Sequence, residues 1–410
     1  MNQMARNEPG HPVALLPAPT PRQRLTGQVK RLAAEHGLSV SAVTSAEAFP
    51  ELEPILLRHI AAGHVRGLDW FTPERARFST NPRNLHPAAL SILAIGVAYW
   101  SIDPGKPDDG VQRGRIARYA RGVDYHDLLK RRMRALVAAV TDLIGRPLEA
   151  RTLVDTARIV DRAVAARAGL GWYGKHSCLI VPGHGSWVLL GELLLDLDLE
   201  PDAPLTNNCG RCRICLDRCP TNAIVAPYTV NAPRCLSFQT IEQRGAIPPE
   251  IRPLLGDWVF GCDICQEVCP YTKAARPDPD PAFLPKTVEN AYPSLPGLLT
   301  MTETAFRHTY GGTPVTRAKR RGLARNAAVA LGNSSDRRHT GDLARALTGH
   351  DEPLVRGHAA WALGRLGGPG ARSRLERARR SEADQSVRDE IEAALADDAG
   401  SDGRHSGWTA

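Results

Sequence analysis

Four cysteines and a proline fall within twelve residues in "CGRCRICLDRCP", positions 209–220, and a shorter echo, "CDICQEVCP", follows at 262–270. No other stretch narrows the fold as much, because thiols this dense are either paired with one another or bound to metal. Pairing requires an oxidising compartment. The N-terminal "MNQMARNEPGHPVALLPAPTPRQRL" has no apolar core of the length a secretory signal needs, and no twin-arginine pair precedes an apolar stretch. The longest apolar run, "ILAIGVAYW" from Ile92, is far short of a membrane span and reads as a buried strand. The expectation is a cytoplasmic chain with no membrane attachment, whose reduced cysteines hold metal.

Spacing selects the metal. Cys209, Cys212, Cys215 and Cys219 are separated by two, two and three residues, and Pro220 follows. That is the run of bacterial ferredoxins, in which three thiolates hold one [4Fe–4S] cluster and the fourth reaches the other cluster of a pair. By the same crossover Cys269 returns to the first cluster. The second then takes Cys219, Cys262, Cys265 and one more ligand, and Cys235 in "APRCLSF" is the unassigned cysteine of that region. Two zinc knuckles are the alternative, but those pair Cys-x2-Cys units across a spacer. Cys178 in "KHSCLIV" is left over and reads as a small buried hydrophobe.

The rest of the 410 residues divides around this segment, and 42% apolar content is enough for packed cores. Residues 1–24 are proline-rich and read as disordered, as does the polar tail 398–410. Residues 25–200 alternate helical and strand patterns and read as an α/β domain. Its parts are an amphipathic helix in "QRLTGQVKRLAAEHGL", a strand in "SILAIGVAYW", a long helix from Tyr125 ended by Gly145, a short strand in "TLVDT", and two strands flanking "PGHGS". Residues 201–275 form the ferredoxin-like domain. The remainder, 276–397, opens with a proline-rich linker, "RPDPDPAF" and "YPSLPG", and then repeats itself. Ala330 and Leu331 return as Ala362 and Leu363 and again as Ala394 and Leu395, each step 32 residues. Such a repeat stacks into HEAT-like helical pairs.

Net charge is only +8, but its distribution is uneven. From Thr304 to Ser335 there are basic residues and no acidic one: Arg307, Arg317, Lys319, Arg320, Arg321 and Arg325. A second basic run spans Arg113 to Arg134. Either is a solvated helix face or a track for phosphates. No G-x-G-x-x-G follows a strand, so the sequence offers no dinucleotide fingerprint.

The strings "VDTARIVDRAVAARAGLGWYGKHSCLIV", "GSWVLLGELLLDLDLEPD", "CGRCRICLDRCPTNAIVAPYTVNAPRCLSF", "VFGCDICQEVCP" and "RGLARNAAVALGN" occur in order and resemble the epoxyqueuosine reductases. The resemblance runs from about residue 25 to 395. It implies cobalamin bound in the α/β domain beside the first cluster, a tRNA bearing epoxyqueuosine as substrate, an external electron donor, and a monomer. It also implies that Asp155, of the "VDT" motif, donates the proton to the departing oxygen, its pKa raised by desolvation under the corrin and a bound base. Asp155 as a plain turn residue, and Asp161 in "VDRA" as the acid, are the alternatives. Arg77, Ala117, Arg162, Leu179 and Leu190 fall where the family meets cobalamin, and His176 stands where asparagine is common. Arg317, Lys319, Arg320 and Arg321 are expected to grip tRNA phosphates. Two other readings remain: a reductive dehalogenase sharing cobalamin and clusters, and a non-catalytic iron–sulfur scaffold that binds RNA through its repeats.

Overall fold

The computed structural model describes residues 18–38, 40–103 and 105–398. Most of the two segments expected to be disordered lies outside them. The N-terminal boundary moves inward to Pro21, where helix α1 (Pro21–Glu35) begins. Thr20 accepts from Gln23 N, the Gln23 side chain bonds back to Thr20 N, and Pro21 presets the first turn.

There follow β1 (Val40–Ser45), α2 (Leu52–Ala61), α3 (Pro73–Ser79), β2 (Ser91–Ala98), β3 (Arg115–Ile116), α4 (Tyr125–Ile144), β4 (Ala150–Leu153), α5 (Asp161–Arg167), β5 (Trp172–Tyr173), β6 (Leu179–Ile180) and β7 (Val188–Leu195). The central sheet has the order β1-β2-β7-β4, and every neighbouring pair in it is antiparallel. The domain is therefore mixed α and β as expected, but without a parallel sheet. Both faces are covered. One packs on α1 and α4 through Val29, Met133 and Leu136, and the other packs on α5 through Val164 and Ala163. This double burial explains why β2 reads as an unbroken apolar run. Gly145 ends α4 with φ 63°, the left-handed cap its position predicts. The strands flanking "PGHGS" do not pair with each other: β6 pairs with β5, while β7 enters the middle of the sheet.

The cysteine-rich segment is built of short pieces. Single helical turns, Ile214–Asp217 and Ile264–Glu267, carry Cys215 and Cys265. The strand Trp258–Phe260 pairs in parallel with β3 and ties this segment to the first domain. The proline-rich stretch is not a free linker. Asp280 N and Leu295 N donate to the carbonyls of Ala98 and Gln112, and Phe283, Tyr292 and Leu295 are buried. Prolines here shape a packed connection, because neighbouring backbone supplies the partners that water would otherwise supply.

The repeat is borne out. The helices Lys319–Asn333, Pro353–Leu366 and Gln385–Asp398 stack in sequence, with Thr340–Gly349 and Pro369–Ser381 on the outer side. Small residues set the spacing: a Cβ on Gly332 would stand 2.9 Å from the Ala362 Cα, and one on Gly364 would stand 2.7 Å from the Ala394 Cβ. One apolar cluster runs from Ile116 through Phe260 to Leu395, so the repeat shares its core with the cysteine-rich segment. No described helix is long and apolar enough to cross a membrane.

Candidate active site and thiol sites

Crossover of the thiols is visible in the packing. Cys209, Cys212, Cys215 and Cys269 line one small cavity with Lys175, His176 and Tyr271. The other four stand together, since each of Cys262 and Cys265 lies in the electrostatic range of both Cys235 and Cys219. Among the described residues no three His, Cys, Asp or Glu side chains gather closely enough to hold a single ion. The thiols instead stand around volumes. Burial pushes Cys215 up to about 11 and raises Cys235 and Cys265 as well. Buried thiols like these ionise against the positive charge of a metal. Beside the first set, His176 Nε2 and Trp172 Nε1 are buried without partners, and burial pushes His176 down to about 4. His176 is therefore neutral. Its Nδ1 accepts from Cys178 N, which places the N–H on the unpartnered Nε2. Nitrogen donors left free next to four thiols suit the sulfur-rich surface of a [4Fe–4S] cluster.

A larger cavity of about 750 Å³ opens where the first domain, the cysteine-rich segment and the start of the repeat meet. Its wall includes Trp70, Arg75, Tyr119, Asp155, Arg162 and Arg317, and Cys235 borders it. The second thiol set is thus the one beside the cavity. The fold decides this order, because Cys235 precedes a helix, Leu236–Ile241, whose Phe238 and Ile241 also line the cavity.

Asp155 follows β4 with φ 43°, a left-handed conformation that Asp tolerates better than most residues. The turn presents its carboxylate to the N-terminal end of α4. There Tyr125 Oη donates to Asp155 Oδ2 at 2.7 Å, and His126 Nε2 lies 3.4 Å from the same oxygen. His126 Nδ1 is 2.8 Å from Asp124 Oδ1, the N-cap carboxylate of α4. Burial and the helix dipole both oppose a cation here. The carboxylates on either side overcome them, and His126 is pushed up to about 9. Burial works against an ionised Asp155 too, but the close approach and charge of His126, the hydrogen bond from Tyr125 and the charge of Arg317 hold it below its ordinary value. The protein's own side chains therefore do not supply the rise expected for Asp155. Desolvation is present but outweighed, and the proton of this cluster resides on His126.

Other expected positions divide. Arg162 lines the cavity, and so does Arg317. Arg77 does not: its side chain is 57% exposed and pairs with Glu53. Two residues earlier, Arg75 lines the cavity, donates to the carbonyls of Thr156 and Ala157, and lies over the Trp70 ring. Helical spacing explains the exchange, because positions two apart on α3 face opposite ways. Ala117, Leu179 and Leu190 are packed in apolar clusters and do not border the cavity.

The acid-free basic stretch meets acids from other elements. Arg317 pairs with Glu242, Arg320 with Asp351, and Arg321 approaches Glu352 at 3.9 Å. Arg325 is fully buried and donates to the carbonyls of Gln239, Gln243 and Gly245. Arg320, at 15% exposure, is a structural ion pair more than an open phosphate contact. Lys319 is exposed, with φ 61°, and makes no ion pair among the described residues. Much of the alternative basic run is also paired internally, through Arg113–Glu289, Arg115–Asp257, Arg118–Asp263 and Arg132–Asp280.

Sequence reasoning missed Asp124, Tyr125, His126 and Arg75. In the sequence Tyr125 marks only the start of a long helix, and the contact of that first turn with Asp155 reveals its chemistry.

Paired thiol sets leading to a cavity with an ion-paired acid–base cluster, on a helical-repeat arm, define an iron–sulfur oxidoreductase. Family models agree, matching a 4Fe-4S double cluster binding domain at residues 208–272, epoxyqueuosine reductase QueG at 80–156 and HEAT repeats at 316–396. The epoxyqueuosine reductase of Xanthomonas campestris is 38% identical over 86% of this chain and 99% of its own. A solved epoxyqueuosine reductase with an epoxyqueuosine-modified tRNA stem loop superposes with a TM-score of 0.85 at 32% identity, covering 92% of this chain and 99% of that one. The Bacillus subtilis enzyme, solved with its catalytic aspartate loop swung out of the active site, matches equally well at 0.85 and 32%, over 91% and 99% of the chains. The chain belongs to the epoxyqueuosine reductase family.

Proposed function

We propose that this protein reduces epoxyqueuosine to queuosine at the wobble position of tRNA, the final step in making that base. The observation that carries the reading is the Asp155–His126–Tyr125 cluster on the wall of a cavity bordered by Cys235. Removing the epoxide oxygen takes two electrons and two protons and releases water. Cobalamin and two [4Fe–4S] clusters, when bound, would supply these electrons, drawn from an external carrier.

The residues present fit these groups. Cys209, Cys212, Cys215 and Cys269 would hold one cluster, and Cys219, Cys235, Cys262 and Cys265 the other. A large ring edged with amides finds aromatic walls in Trp70, Tyr119 and Phe238, and hydrogen-bonding partners in Arg75, Arg162 and Thr316. The remaining chemistry belongs to the chain. Asp155 orients toward the cavity and stays ionised until charge develops on the departing oxygen. The proton then passes from His126 by way of Asp155, and Tyr125 steadies the carboxylate in both states. Arg317 lines the cavity and the exposed Lys319 follows two residues later, where RNA phosphates would complement them.

The test is anaerobic reconstitution with iron, sulfide and cobalamin, followed by incubation with an epoxyqueuosine-bearing stem loop and a chemical reductant. The modified nucleoside should lose one oxygen atom. Reconstituted protein that leaves the epoxide intact would overturn the reading.

A further inference from the structure

We propose that Asp161 and Glu192 hold one proton between them and deliver it through Asp155 to the oxygen leaving the cavity. Glu192 lies in the middle of β7, one of the two inner strands of the sheet, with no exposed surface. Its register partner is Leu153, the last residue of β4, and Asp155 lies in the turn two residues beyond that end. No N–H or O–H group of another described residue donates to either Glu192 carboxyl oxygen or to the equally buried Asp161 Oδ1. The two side chains meet each other, and among the described residues no lysine, arginine or histidine forms an ion pair with either. Two ionised carboxylates do not share such a place, because burying unpaired charge costs several kcal/mol or more. A shared proton removes the conflict, as in other close carboxyl pairs.

The groups facing the pair agree. Burial raises both carboxyls, and Asp155 raises them further. Arg162 acts in the opposite direction on Asp161, while Arg75 and Tyr173 feel its charge from α3 and β5. Glu192 has Asp161 and Asp155 as its charged neighbours.

A count of protons gives the pair its role, and here the inference rests on the proposed reaction. Both C–O bonds of the epoxide break, two electrons enter, and the oxygen takes two protons to leave as water. Asp155 is ionised and His126 holds one proton, so the cluster at the cavity wall is one short. Asp161 and Glu192 supply the second from behind Asp155, and solvent restores it between turnovers. They act through Asp155 and do not touch the substrate.

Two measurements separate this from a structural role. In the infrared, the protein without cofactors or substrate should show a protonated-carboxyl C=O stretch at neutral pH that shifts in D2O and disappears in Glu192→Gln. In the reconstituted enzyme, single-turnover reduction should carry an inflection above the ordinary carboxylate range. That inflection should be lost in Glu192→Gln together with about tenfold or more of the rate. Asp161→Asn, at a less buried position, tests the same point if Glu192→Gln does not fold. No protonated-carboxyl band in the wild type, or an inflection that survives in both variants, would overturn the proposal. Because the infrared band needs no substrate, its presence with no epoxide reduction would sink the proposed reaction and leave the shared proton standing.

Discussion

Replacing His126 by Gln removes the titrating group while keeping a side chain able to hydrogen-bond Asp124. The structure sets the size of the effect. A rise from 6.5 to about 9 for His126 corresponds to about 3 kcal/mol at about 1.36 kcal/mol per pKa unit. The cavity admits solvent to the Asp155 side of the pair, where the side chain is 55% exposed, so screening leaves about 1–2 kcal/mol. The sign follows from linkage. The folded pKa lies above the unfolded one, so this stabilisation is complete below about pH 6.5 and is lost as the pH rises through about 9. Denaturant unfolding of wild type and His126→Gln should therefore differ most near pH 6 and converge near pH 10. The lowered Asp155 reports the same interaction from its partner's side, so its shift is not added. In single-turnover reduction the wild type should lose activity above about pH 9, and His126→Gln should be about 100-fold slower with no such limb. Stability curves that stay parallel across this range, or a variant that keeps the alkaline limb, would show that His126 does not hold the proton.

Asp155→Asn should retain both clusters and lose about 10²–10⁴-fold in turnover, measured by queuosine formation, since it removes the group that relays the proton. Cys235→Ala should fall from about eight to about four iron atoms per chain in metal analysis, the loss falling on the cluster beside the cavity. Lys319→Ala should weaken stem-loop binding and flatten its logarithmic salt dependence by about 0.7–0.9, whereas Arg320→Ala should lower thermal stability and leave that slope unchanged. Gly364→Val should destabilise by about 1–3 kcal/mol in denaturant titration, because its Cβ would press on Ala394 at 2.7 Å.

The sequence by itself determined what is local or periodic. Cluster ligation is written in spacings of two and three residues, and the crossover needed only a count of eight cysteines. The helical repeat appears because identical interfaces demand identical small residues every 32 positions. Strand β2 and helix α4 were legible because burial on both faces and a left-handed Gly145 leave plain marks. Asp155 was found through resemblance, not through any property of its own string. Tertiary structure alone decided the charge states and the order of the sites. Whether Asp155 is raised or lowered depends on Tyr125 and His126, about thirty positions earlier in the chain, and nothing in "VDT" contains them. The stretch from Thr304 to Ser335 has no acid of its own, yet Glu242, Asp351 and Glu352 reach its arginines from other elements. Electrostatic energy falls with distance in space and is indifferent to distance along the chain, so a charge pattern becomes a binding surface only once folding has chosen its neighbours.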